Sequence, residues 1–580
     1  MMFAARMLIL SVAFWGMPGL AQDREFSPVT DAMLENPDPS DWLMWRRTTN
    51  AWGYSPLDHV DRGNVSELAL VWTRPLGSGV QEGTPLVHDG LMFFPNPNDL
   101  TMAFDAVTGD PLWEYQRDWP DDLGQYIPFA QINRNLAVYG TAILDLSGDD
   151  YLYAMDALTG ELLWETMIAD YAVLSAQQTS GPITADGKIF STRGCEPEAG
   201  PEACVITAHD AVTGREIWRR GTIPAPGEPG YETWGDVAYE DRAHVGAWMI
   251  PSYDHELNRL YVGTSVTSPA PKFIFGSNEN QYLYHNSTLA LDADTGEIVW
   301  YYQHVVDHWD LDHPFERLLV DTAVAPDPDE VDWINPNIEP GEQRRVITGV
   351  PGKTGIVYTL DRETGEFLWA RPTVPQTVVD TIDGESGRVR VNPEMVFNEV
   401  GDQALVCPGT SGGKGFPAGS YSPRTNTMYY PLQNACMQVT ATTDQLGGNS
   451  LYGISTRGQI APGTDRVGTL HAISAETGAD VWKFEQRAGM TSVMTTGGGL
   501  VFAGDANGRF RAFNDETGEV LWEVNLGSAV TGYPVTYAAD GRQYVAVSTG
   551  SSLVTGAMNG LTPELRPATA ANLYVFALPE

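Results

Sequence analysis

The segment His304-Val-Val-Asp-His-Trp-Asp-Leu-Asp-His313 carries three imidazoles and three carboxylates within ten residues. Histidine with aspartate is a donor set for zinc, and an ion held by neutral imidazoles would activate water for hydrolysis. In an extended Trp-Asp-Leu-Asp stretch, Asp310 and Asp312 would instead point the same way and offer two oxygen ligands to one hard cation. A carboxylate so placed can also take a proton from a substrate hydroxyl. A charged rim loop without chemistry is the third reading. The loop alone leaves all three open.

What must position this loop is a repeat. The pattern Ala-x-Asp-x-x-Thr-Gly-x-x-x-Trp occurs as Ala103, Asp105, Thr108, Gly109, Trp113 and as Ala154, Asp156, Thr159, Gly160, Trp164. It returns with Trp218, Trp300 and Trp369, then with a weakened acid as Ser474 before Trp482 and Asn514 before Trp522. Each copy reads as a β-hairpin: a short polar side chain caps the turn, glycine accepts positive φ, and a second strand carries the tryptophan. Sheets repeated at this interval leave apolar faces that need neighbours, which is the logic of propeller blades. The indole can lie between adjacent sheets, where Ala and Gly leave room for it.

The expected architecture is therefore an all-β, eight-bladed β-propeller with tryptophan-docking motifs, formed as a single domain over residues 22–580. The interval from Trp369 to Trp482 is long enough to hold a blade with a degenerate turn. Leu68–Trp72, followed by Pro85–Phe94, is expected to join the terminal Tyr574–Leu578 strand, because such pairing removes exposed edges.

Arg6, the apolar stretch Met7–Met17 and the small residues Gly19-Leu20-Ala21 read as a signal peptide over 1–21, which implies export to the periplasm. No later run is apolar for the length of a membrane span. Four cysteines suit an oxidising compartment, and sequence proximity pairs Cys195 with Cys204 and Cys407 with Cys436. No Cys-x-x-Cys-His motif for attached c-type haem occurs. A net charge of -41, from 75 acidic and 34 basic residues, disfavours nucleic acid and anionic membranes. It suits a basic partner, or equally a solvated surface in salty surroundings.

Several segments together resemble the quinoprotein alcohol dehydrogenases, and within them the soluble, haem-free L-sorbose and sorbosone dehydrogenase branch. They are Glu228-Pro-Gly-Tyr-Glu-Thr-Trp-Gly235, Gly349-Val-Pro-Gly-Lys-Thr-Gly355, Val406-Cys-Pro408 with Gly412-Gly413, and the ending Tyr574–Glu580. The resemblance implies a propeller holding pyrroloquinoline quinone (PQQ) and one metal ion. It implies Asp310 as the base that takes the alcohol proton while hydride moves to the quinone, and Lys353 as donor to the quinone oxygens. Trp248 matches the indole on which the cofactor stacks; Glu82, Arg134 and Thr179 match positions around its carboxylates and ring. Glu196 and Asp310 match metal ligands, and Asp312 resembles the additional aspartate of lanthanide-using members, so calcium and a lanthanide both stay open.

The chain departs from the family pattern at four places. The metal-ligating Asn of a Gly-x-Gly-Asn turn is missing from Gly263-Thr-Ser-Val-Thr-Ser-Pro269. Pro128-Phe129 replaces an adjacent cysteine pair over the cofactor, Gly415-Phe416 replaces Asn-Trp, and Arg193 stands where serine is common and is expected to act as a charged cofactor donor. The leading expectation is a periplasmic PQQ-dependent dehydrogenase of primary or secondary alcohols (sugars, polyols or other hydroxylated compounds, with aldehydes as a further class). It would pass electrons to a soluble acceptor such as a c-type cytochrome. A non-catalytic scaffold propeller and a zinc hydrolase are the alternatives.

Overall fold

In the computed structural model, which describes residues 24–443, 446–447 and 450–580, the chain is built largely from four-stranded antiparallel sheets. The leader expected over residues 1–21 lies outside the described residues. Each repeat makes its hairpin. Leu100–Asp105 pairs with Pro111–Gln116, and the register sets Ala103 directly opposite Trp113. The same small residue faces tryptophan at Ala154–Trp164, Ala208–Trp218, Ala290–Trp300, Ala472–Trp482 and Ala512–Trp522. A larger side chain there would crowd the ring across the strand pair.

The turn acid has a local task. Asp105 Oδ1 accepts the N–H groups of Val107 and Thr108 at 2.9 and 2.8 Å. In the two weakened copies, Ser474 Oγ accepts from Thr477 N at 3.1 Å and Asn514 Oδ1 from Glu516 N at 2.9 Å. Any short side-chain acceptor therefore serves.

The glycine answers to the neighbouring sheet. Gly160 has φ +72°, and a Cβ on it would sit 2.6 Å from the Trp113 ring. Trp113 Nε1 donates to Ala157 O in the same turn at 3.0 Å. Equivalent contacts join Trp72 to Gly109, Trp164 to Gly214, Trp218 to Gly296, Trp300 to Gly365, Trp369 to Gly478 and Trp482 to Gly518. Trp522 Nε1 then donates to Leu68 O at 3.2 Å, beside Ala69–Pro75, which pairs with the terminal strand Asn572–Ala577. Among the described residues the chain of docked indoles thus passes through eight sheets and returns to its start, so the fold is a β-propeller.

Two expectations need correction. Trp369 docks directly on the turn before Trp482, so among the described residues the long interval between them holds no further member of the ring. It holds the hairpin Val379–Ile382/Val389–Val391 and a separate sheet that includes Gln403–Val406, Ala435–Ala441 and Ile454–Ile460. Leu86–His88 and Leu91–Asn96 do not join the terminal strand; they open the sheet that ends in Trp113. The first strand of a sheet, such as Leu86–His88, is buried along its length, whereas the last, Pro111–Gln116, is mostly solvent-facing. First strands are therefore innermost, and what precedes them faces the middle of the ring.

Candidate active site

That placement builds one cavity of about 310 Å³. Glu82, Arg134, Thr179, Trp248, Phe315 and Phe416 all line it. Each lies three or four residues before an innermost strand: those beginning at Leu86, Ala137, Ile183, Ser252, Leu318 and Ser420. Equivalent positions of a closed repeat must meet in the centre, whatever their separation in sequence. A second tier, Cys195, Ser265 and Lys353, comes from the connections between the second and third strands, Cys195 from a short strand Gly194–Cys195 within one of them.

These side chains hold one another. Arg134 Nε donates to Glu82 Oε2 at 2.8 Å and Nη1 to Thr179 O at 2.8 Å, while Thr179 Oγ1 donates to Trp248 O at 3.2 Å. The guanidinium lies 5.4 Å from the Trp248 ring and 5.5 Å from that of Phe416. Burial pushes the Glu82 carboxyl up, against the pull of Arg134. Trp248 itself is half-buried, edge-on to Phe315 at 5.4 Å, so an indole face stays available to a flat ligand.

The acidic loop divides its carboxylates between two tasks. Asp307 Oδ1 accepts from Trp309 N at 2.6 Å, and its Oδ2 accepts from Leu311 N and, at 3.0 Å, from Asn286 Nδ2. This belt leaves Asp310 at φ +63°, a left-handed conformation that aspartate tolerates better than most residues. The segment is therefore not extended as expected, yet Asp310 and Asp312 still converge. Lys353 Nζ stands 3.1 Å from Asp310 Oδ1 and 2.8 Å from Asp312 Oδ2. Asp312 Oδ1 also accepts from Val266 N at 2.9 Å.

One ammonium between two buried carboxylates leaves an unbalanced negative charge. Burial, opposed by Lys353 but aided by Asp312 and Asp307, raises the Asp310 carboxyl well above the usual range. Burial acts on Asp312 too, but Lys353 and the Val266 N–H outweigh it and lower that carboxyl. Asp312 is accordingly the anion of the pair and Asp310 the group with proton affinity.

Glu196 adds to the imbalance. The Cys195–Cys204 disulfide closes the loop that carries it, and Cys195 lines the cavity. Glu196 is buried, its Oε1 has no hydrogen-bond partner among the described residues, and burial, then Glu198, push its carboxyl up to about 7. A carboxylate raised on folding opposes stability as pH climbs from the unfolded value through 7. Glu196→Gln should therefore stabilise the cation-free protein by about 2–3 kcal/mol at pH 8 and by nothing at pH 4. Urea unfolding at the two pH values measures this; an equal effect at both would show that the carboxyl is not the cause.

Other expected residues fall differently. Arg193 does not line the cavity: it is fully buried, with Nη1 3.2 Å from Asp150 Oδ2 and Nη2 donating to Ser191 Oγ at 3.0 Å. Its carbonyl, accepting from Ala247 N at 2.7 Å, supports the Trp248 loop instead. Two imidazoles of the acidic segment, His304 and His313, are engaged by threonine hydroxyls. His304 Nε2 contacts Thr288 Oγ1 at 2.8 Å, His313 Nε2 contacts Thr354 Oγ1 at 3.1 Å, and the two rings stack at 5.0 Å. Among the described residues no group of three or more His, Cys, Asp or Glu side chains is placed to hold a metal ion. Glu196 does not form a closed ligand set with Asp310 and Asp312 from protein groups alone, and zinc, which favours imidazoles, finds two of the three in this segment already held by threonines.

Of the departures, Phe129 and Phe416 both line the cavity, and Ser265 occupies the wall where the Asn-bearing turn was missing. Sequence reasoning missed His244, Tyr452 and the helix Leu553–Leu561, which supplies Leu553, Val554 and Ala557. His244 packs on Tyr452 at 4.1 Å between ring centroids, although the two are far apart in sequence. His244 shares the loop before the innermost strand with Trp248, which was its available signal.

A propeller with this charged cavity defines a class, and the chain belongs to it: residues 42–388 and 465–545 match the family "PQQ: Glucose/ethanol/alcohol dehydrogenase, beta-propeller domain". The quinone alcohol dehydrogenase subunit of Komagataeibacter europaeus is 31% identical over 550 residues, 88% of this chain and 72% of that one. Among solved structures, the quinohemoprotein alcohol dehydrogenase ADHIIG of Pseudomonas putida superposes with TM-score 0.83 at 29% identity, covering 95% of this chain and 82% of the other. A europium-containing methanol dehydrogenase shares the fold, with TM-score 0.81 at 24% identity over 94% and 100% of the two chains. All four cysteines of this chain are in disulfides, Cys195–Cys204 and Cys407–Cys436, the pairing expected from the sequence.

The cavity suits the family's group. PQQ is planar and polyanionic, and the half-buried Trp248 face, the Arg134 fork and the Lys353 ammonium match those properties. The unpartnered Glu196 oxygen and the acid excess at Asp310 and Asp312 call for a cation that brings further ligands with it.

Proposed function

We infer that this protein is an exported dehydrogenase that oxidises the alcohol group of small molecules with PQQ and one bound cation, and passes the electrons to a separate carrier. The observation that carries the reading is the shared Lys353 contact of Asp310 and Asp312 inside the cavity walled by Arg134 and Trp248. When bound, PQQ supplies the two-electron acceptor. The chain's own contribution is proton transfer, orientation and charge.

Lys353 occupies Asp310 Oδ1 and leaves Oδ2 to accept the substrate hydroxyl proton. Burial raises its proton affinity, which makes Asp310 a stronger base than an exposed aspartate. Lys353 steadies negative charge at the same atoms, and Arg134 holds a carboxylate against the cavity wall. Asp312 and Glu196 would hold the cation together with Asp310; the second acid of the pair favours a trivalent ion, and calcium is the alternative. A surface of net charge -41 suits a basic carrier such as a c-type cytochrome. The leader-like sequence of residues 1–21 supports export to the periplasm, and no helix of the described residues is long and apolar enough to cross a membrane. The scaffold alternative gives no reason for a buried acid pair and a cationic fork in one cavity.

Reconstitution tests the reading. Protein stripped of cofactor should reduce a dye with ethanol or 1-butanol only after PQQ is added together with calcium or lanthanum. Dye reduction without PQQ, or none with PQQ and either ion, would overturn it.

A further inference from the structure

We propose that the rim of the cavity selects alcohols bearing an apolar chain and discriminates against polyols and sugars, with Leu553, Val554 and Phe129 as the residues that decide. The proposal rests on the dehydrogenase reading and names its substrate class. Asp310 and Asp312 are 4% and 5% exposed and lie at the bottom of the cavity, whereas Leu553, lining the same cavity, is 57% exposed. Phe129 is half-buried and Ala557 exposed, so these side chains lie toward the mouth, with the half-buried Thr410 and Ser411 the hydroxyls in the same lining.

The helix Leu553–Leu561 is held in a fixed pose. Ser552 Oγ accepts from Thr555 N at 3.1 Å and Thr555 Oγ1 reaches back to Ser552 N at 3.2 Å, a closed capping box. Met558 is fully buried against Gly489, where an added Cβ would fall 2.4 Å from its sulfur. Thr555 and Met558 thus face the core, and Leu553 and Ala557, one turn apart, face the opening. Val554 methyls lie 3.2–3.3 Å from where a Gly415 Cβ would be, which ties the rim to the loop carrying Phe416.

A substrate whose hydroxyl reaches Asp310 must lay its remaining carbons along this apolar mouth. Each methylene withdrawn from water there should raise kcat/KM about fourfold. A second hydroxyl in the same place loses its water and meets only apolar groups on the helix, which costs on the order of tenfold.

The test uses the PQQ- and cation-loaded full chain with a dye as acceptor and compares ethanol, 1-butanol, glycerol and sorbitol. We expect kcat/KM to rise from ethanol to 1-butanol by about sixteenfold and 1-butanol to exceed glycerol by a factor on the order of a hundred. Leu553→Gln should cut the 1-butanol to glycerol ratio about tenfold, chiefly through KM, and Leu553→Met should restore it. Equal use of glycerol and 1-butanol by the parent would overturn the proposal while leaving the dehydrogenase reading intact. So would a Leu553→Gln defect seen with a cytochrome acceptor but not with the dye, since the rim would then be a docking surface. Failure to oxidise any alcohol would sink both.

Discussion

Asp310→Asn should bind PQQ at saturating cation and lose turnover by a factor on the order of 10³. The amide keeps an oxygen for Lys353, which now meets Asp310 Oδ1 at 3.1 Å. Asparagine also tolerates the φ of +63° that the Asp307 belt imposes at this position. What the variant lacks is a group that can hold the substrate proton. Cofactor absorbance titration reports binding and stopped-flow dye reduction reports turnover. A kcat within tenfold of the parent would remove Asp310 from the base role, and the remaining acceptor in the cavity would have to be sought at His244 or Asp312.

Glu316→Gln should destabilise the protein by about 3–5 kcal/mol at pH 7. Glu316 Oε2 lies 2.8 Å from Lys414 Nζ with both side chains at 0% exposure, and its Oε1 accepts from Gly419 N at 2.7 Å. Two further buried cations, Arg46 and Arg317, also feel this carboxylate. Burial lowers Lys414 to about 8 even with Glu316 beside it, so without the acid the lysine would be driven further down.

A lysine depressed on folding costs stability most where it is still protonated, and the loss eases as pH rises toward the unfolded value. The deficit in urea unfolding should therefore shrink between pH 7 and pH 10. The site should suffer as well, because Lys414 lies 4.3 Å from the ring centre of Phe315, which packs edge-on against Trp248. A change under about 1 kcal/mol, or one independent of pH, would show that the charge cluster is not what holds this part of the ring.

The hairpins were legible because their causes are local. Asp105 or Asn514 meets N–H groups two or three residues away, and Gly109 must have positive φ wherever that turn occurs. The docking of Trp113 on the next turn could be expected from the same pattern, since Ala103 and Gly160 leave the space. Both disulfides join neighbours in sequence and followed from that nearness. Asp310, Asp312 and Lys353 were singled out by motif, and folding brings the three together.

Where the sequence failed, the deciding contact was made through space. Arg193 has the chemistry of a cofactor donor, but the connection that carries it, just past Lys188–Ser191, buries it against Asp150, 43 residues away. His304 and His313 read as metal ligands until their stacking and their threonine partners are seen. Helix Leu553–Leu561 has no motif that would place it over a cavity whose floor is Asp310. Residue types and short spacings therefore determined the hairpins, their indole joints and the acids that could do chemistry. Ring closure decided which of those side chains share a cavity, because only closure places Glu82 on Arg134, His244 on Tyr452 and the helix Leu553–Leu561 in one cavity with Asp310.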